Sequence, residues 1–124
     1  MSDVEYIVLS LMKFPLPEER FEIYNCDKKD DKKSEWLTQK VYLNSQEFNK
    51  IVDILNENHI QEWNKEYINE HVLDGESWEI KYNINGNKRI IHGINCYPRG
   101  WETVKKAIIE AVAFKTVKYK EGEK

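Results

Sequence analysis

Along the chain the apolar positions fall into two kinds of run, alternating and helix-spaced, and the switches between them define the elements. Glu5 to Phe14 (EYIVLSLMKF) is almost continuously apolar and rich in β-formers, which predicts a strand with much of both faces covered. Pro15 and Pro17 end it, because proline cannot donate to a sheet ladder. Phe21, Ile23 and Asn25 then alternate with Glu22 and Tyr24 in a short second strand. Cys26 to Ser34 (CDKKDDKKS) has no apolar period and reads as a solvated hairpin loop. It leads to a third strand from Glu35 to Leu43, where Trp36, Thr38 and Lys40 oppose Leu37, Gln39 and Val41.

The period changes after Leu43. Asn44 can cap a helix and Glu47 stands three residues on, a variant of the capping box. Phe48, Ile51, Val52 and Leu55 follow at i, i+3, i+4 and i+7, one apolar stripe that ends near Asn56 to Asn58. Ile60 to Val72, with Trp63, Tyr67 and His71 four apart, predicts a second and less regular helical stretch. Asp74-Gly75 is a turn signal. From Trp78 to Ile84 the chain alternates again, and Asn85-Gly86 predicts a type I′ hairpin, whose two central residues need positive φ. The returning strand is Lys88 to Ile94. Pro98 and Gly100 precede a last helix from Trp101 to about Phe114, with Trp101, Val104, Ile108, Ala111 and Val112 as its buried stripe, and Lys115 to Lys124 reads as a frayed tail.

Three strands, a helical middle, a hairpin and a helix predict an α+β fold: an antiparallel sheet of about five strands with two or three helices on one face. No linker, repeat or boundary divides residues 1–124, which read as a single domain. The 40% hydrophobic and 12% aromatic content exclude a disordered, charge-dominated chain.

Net charge is -3 from 22 acidic and 19 basic side chains. That balance lacks the clustered basic excess of a nucleic-acid binder, so no direct nucleic-acid contact is expected. Cys26 and Cys96 form no framework and no C-x-x-C motif, and the acidic start at Asp3 and Glu5 is unlike a signal peptide. With no stretch of membrane-span length either, the expected location is cytoplasmic. Abundant Lys, Asn and Ile, residues with A/T-rich codons, suit an AT-rich bacterium or its phage.

Unusual residues are densest in one region: Trp63, Tyr67, Asp74, Trp78, His92, Asn95, Tyr97 and Trp101. Pairing across Asn85-Gly86 brings the Trp78 end of the hairpin to His92–Ile94, beside both helical stretches. Rings with polar tips gathered there would form a pocket or an interface anchor. Structural duties explain much of the same set, with Gly93 as a close-packing or bulge position and Trp78 and Trp101 as core residues. Sharper chemistries fit less well. His59, His71 and His92 share no metal-ligand spacing, so no metal or cofactor is expected. On a common strand His92 and Cys96 would lie about 13 Å apart, too far for a nucleophile and its base. The pairs Glu18-Glu19 and Asp30-Asp31 sit in polar loops without the burial that raises a catalytic carboxyl pKa.

The runs D-G-x-x-W-E-I-K-Y (Asp74 to Tyr82) and G-x-N-x-Y-P-x-x-W (Gly93 to Trp101) resemble a pattern in small uncharacterised bacterial proteins. The likeness spans Trp63 to Ile109 and implies an aromatic segment before a hairpin that ends at a Tyr-Pro helix start. It implies no activity. The leading expectation is therefore a non-enzymatic protein-binding module of bacterial or phage origin. It would inhibit a partner, a toxin or a defence nuclease component, by covering its functional surface, with Trp36, Trp63 and Tyr67 as anchors. A homodimer is compatible with the same surface. The alternatives are a small-molecule or nucleotide site using Trp63, Tyr67, Asp74, His92 and Asn95, and an enzyme using His92 with Asp74.

Overall fold

A computed structural model of the chain describes residues 4–13, 15–25, 37–69 and 75–122. The strands are β1 (Tyr6–Lys13), β2 (Glu19–Asn25), β3 (Leu37–Leu43), β4 (Glu66–Ile68), β5 (Glu76–Ile84) and β6 (Asn87–Ile94). The helices are α1 (Ser45–Glu57) and α2 (Trp101–Gly122), and a 3₁₀ turn covers Ile60–Glu62. The strands form one six-stranded sheet in the order β3-β2-β1-β5-β6-β4. The class is α+β, as expected.

The sheet is mixed, not purely antiparallel. β1 pairs antiparallel with both β2 and β5, and β5 pairs antiparallel with β6, but β3 runs parallel to β2 and β4 parallel to β6. The parallel β2–β3 pair corrects the hairpin expected between them. Glu19 faces Leu37 and Asn25 faces Leu43, so the two strands run in the same direction. Parallel neighbours need a crossover of about a dozen residues, which a charged stretch of that length supplies as readily as it supplies a loop.

The expected second helix at Ile60 to Val72 is also corrected. One 3₁₀ turn gives way to β4, which docks on β6 through the His92 N–H donating to the Lys65 carbonyl (3.0 Å) and the Asn69 N–H donating to the Ile94 carbonyl (2.9 Å). Arg89 holds this segment. Its guanidinium donates to the carbonyls of Ile60 (2.9 Å), Gln61 (3.0 Å) and Trp63 (2.6 Å), which a helix would have used internally. His71 lies outside the described residues.

Where local signals were strong the elements form as expected. Asn44 Oδ1 accepts the Glu47 N–H at 2.8 Å while Glu47 Oε1 accepts the Asn44 N–H at 3.3 Å, a complete capping box. Such a cap contributes about 1 kcal/mol. Asn85 and Gly86 have φ of 53° and 82°, as a type I′ turn requires. The final helix runs past Phe114 to Gly122, overtaking the expected tail from Lys115, because no Gly or Pro interrupts Lys115 to Glu121.

Strand alternation then sorts the sheet into two faces. Ile7, Leu9, Phe21, Ile23, Val41, Leu43, Trp78, Ile80, Tyr82, Ile84 and Ile91 share one face and are buried. Phe48, Ile51, Val52 and Leu55 of α1 and Trp101, Val104, Ile108 and Val112 of α2 close over them. At roughly 1.5–3 kcal/mol for each fully buried large aliphatic or aromatic side chain, this layer carries most of the favourable free energy. No described element covers the opposite face. The expectation that β1 has both faces covered therefore holds only for the Ile7–Leu9 side and for Val8, since Met12 is exposed.

Candidate functional site

Four of the five aromatic rings that sequence reasoning gathered, Tyr67, Trp78, Tyr97 and Trp101, meet at the end of the β5–β6 hairpin, on the core side. Trp78 lies across its cross-strand partner Gly93, where an added Cβ would collide with the indole nitrogen. From there Trp78 Nε1 donates to the Cys96 carbonyl at 3.0 Å. The Trp78 and Trp101 ring centroids are 4.2 Å apart, Tyr97 lies 5.6 Å from Trp101, and Tyr67 lies 6.1 Å from Trp78. Trp78 and Trp101 are each only 2% exposed, so the rings pack on one another and do not line an open pocket. Tyr97 alone among these rings is exposed, at 41%. Partial burial, followed by the Glu76 carboxylate it bonds and by Glu102, pushes its hydroxyl pKa up.

Trp63 and His92 stand apart from this cluster, and polar bonds fix Tyr67 and Asn95 beside it. Trp63 is buried and donates Nε1–H to the Asn58 carbonyl at 3.1 Å. The Tyr67 hydroxyl accepts the Asn64 N–H at 2.8 Å. Asn95 closes the hairpin: its Oδ1 accepts the Glu76 N–H and its own N–H donates to the Glu76 carbonyl, both at 2.9 Å. Its side chain fills the space a Cβ on Gly75 would need. His92 points to the other side of the sheet, because it neighbours Gly93 on the strand and successive side chains alternate. Its Nε2 lies 3.6 Å from Glu66 Oε1. Trp36 and Asp74 lie outside the described residues, and the His92–Asp74 pair with them. Cys96 is a half-buried free thiol beyond the end of β6, so it does not share a strand with His92.

Sequence reasoning missed the uncovered face itself. Register aligns its side chains into rows across the strands. One row joins Ile68, Ile94, Ser77 and Met12. The next joins Glu66, His92, Glu79, Ser10 and Arg20, and the third Ile90, Lys81, Val8, Glu22 and Lys40. The last runs from Lys88 through Asn83 to Tyr6, Tyr24 and Tyr42. Met12, Ile68, Ile90 and Ile94 are 43–52% exposed. Tyr24 stacks on Tyr42 with centroids 5.6 Å apart, Lys40 Nζ lies 5.7 Å from its ring centre, and its hydroxyl donates to Glu22. Burial, and after it the bonded Glu22 carboxylate, raise the Tyr24 pKa well above the usual phenol range. The signal available in sequence was the even-numbered set of β1, Tyr6, Val8, Ser10 and Met12, once Ile7 and Leu9 are given to the core.

Among the described residues no group of three or more His, Cys, Asp or Glu side chains is arranged to hold a metal, and no helix is long and apolar enough to cross a membrane. Comparison with protein-family models, curated proteins and solved structures finds no match to this chain.

Proposed function

We propose that this protein is a non-enzymatic protein-binding module of bacterial or phage origin, and that it inhibits its partner by laying the uncovered face of its sheet over the partner's functional surface. One observation carries the reading. Four large aliphatic side chains, Met12, Ile68, Ile90 and Ile94, stand exposed on a face that no described element covers, among charged residues of both signs. An apolar row flanked by a charged one matches the mixed make-up of an interaction surface. Mixed charge around it favours a partner of matched pattern over a uniformly charged polymer. This face replaces Trp36, Trp63 and Tyr67 as the proposed contact, since Trp63 and the Tyr67 ring pack against the core.

The test is capture of a partner from bacterial lysate with the full chain as bait. The variant Ile68→Asp/Ile94→Asp and the control Glu110→Gln, on the exposed side of α2, are run beside it. A partner retained by the wild type and the control, and reduced about tenfold or more by the double variant, supports the reading. Equal retention by all three chains, each confirmed folded by circular dichroism, rules it out.

A further inference from the structure

The uncovered face is not flat. Between β2 and β6 it holds a dip of about 320 Å³. Ser10 and Ser77 are small residues amid larger ones and leave its floor low. Arg20 and Glu18 stand on the β2 side, His92 and Ile94 on the β6 side, with Met12 and Glu79 between. Ligand pockets usually span about 300–1,000 Å³, so this volume suits one inserted side chain and not a large molecule.

Charge decides which side chain. The Glu79 side chain is partly buried and its carboxylate makes no hydrogen bond or ion pair with any described residue. A carboxylate partly withdrawn from water gains free energy when a cation reaches it. Glu18 adds a second negative charge. Arg20 stands exposed on the rim, where water solvates its charge, with Glu22 two residues on along the same side of its strand. His92 is drawn toward Glu66 on β4. The floor adds hydroxyl acceptors from two different strands. A guanidinium presents five N–H donors in a planar fork and can address a carboxylate and two hydroxyls together. Its methylene stem matches the Met12 and Ile94 wall.

We infer that the dip receives an arginine side chain of the partner protein, its guanidinium bound by Glu79 and the two serine hydroxyls. The inference rests on the uncovered face being the binding surface.

The experiment uses n-butylguanidinium chloride as the probe, n-butyrate as the anionic counterpart, and the full chain observed by ¹⁵N and methyl NMR. Saturable shifts at the Met12 and Ile94 methyls and at the Ser77 and Glu79 amides are expected, with the millimolar affinity of so small a fragment. Glu79→Gln should weaken that binding about threefold or more while leaving the spectrum of α1 and α2 unchanged. No shifts, shifts confined to other surfaces, or butyrate occupying the dip in place of butylguanidinium overturn the inference. If those results appear while Ile68→Asp/Ile94→Asp still abolishes capture, the arginine site fails and the binding face stands. Capture that ignores the double variant removes the face, and the arginine site with it.

Discussion

The two faces of the sheet are built from the same strands, often from adjacent residues, yet the helices cover one and no described element covers the other. Ile90 is 52% exposed and Ile91 is 0% exposed. His92 stands in the open row beside Glu66, while Gly93, the next residue, lies beneath the Trp78 indole. The strand pleat makes the division, since each step along β6 turns the side chain over. Composition does not make it, because isoleucine serves on both sides. An apolar residue therefore packs beneath the helices only when its phase agrees with its neighbours across the sheet; out of phase, Val8 is buried among its own row and Ile90 is exposed.

The largest test of this contrast is Trp78→Ala, which removes the centre of the aromatic cluster. It should cost about 3–5 kcal/mol in urea unfolding, the range for emptying a large buried ring site. A cost under about 1 kcal/mol would mean that the hairpin end is not core.

Tyr24 allows a test by pH on the opposite face. Its folded pKa is raised, chiefly by burial and then by Glu22, above the value of about 10 that an unfolded chain shows. The stability linked to this group is therefore fully present below about pH 10 and is lost as pH rises toward the folded value. The urea midpoint should fall through that window, and fall less steeply in Tyr24→Phe. Tyr97, shifted the same way, retains part of the slope. Identical slopes in both proteins would show that the tyrosine ladder is ordinary solvated surface.

The smallest expected effect belongs to Ile90→Ser, within about 0.5 kcal/mol of wild type, because an exposed aliphatic loses little when the chain is folded alone. A cost comparable to that of Trp78→Ala would show that this face is buried by the chain itself.

Legibility in the sequence followed the range of the interactions involved. The Asn44/Glu47 cap, the Phe48–Leu55 stripe and the Asn85-Gly86 turn depend on residues within about one or two turns of each other, and all form as expected. The β2–β3 pairing escaped because CDKKDDKKS is as compatible with a crossover as with a hairpin. β4 escaped because Trp63 and Tyr67 are spaced by four, which is a helical interval, while Arg89 takes the carbonyls that a helix would need. The convergence of Tyr67, Trp78, Tyr97 and Trp101 was legible through hairpin pairing. Its closure was not, nor was the turning of His92 to the other face.

The sequence by itself determined the α+β class, the position of α1 and its cap, the β5–β6 hairpin and the aromatic cluster at its end, since each rests on local geometry or on one short-range pairing. Only the tertiary structure decided the mixed order of the sheet and which of its faces the helices cover. It also decided that Ser10, Ser77, Glu79, Met12 and Ile94, drawn from separate strands, surround one dip. These depend on register between strands up to about eighty residues apart, and no local pattern encodes which distant strand will supply a neighbour.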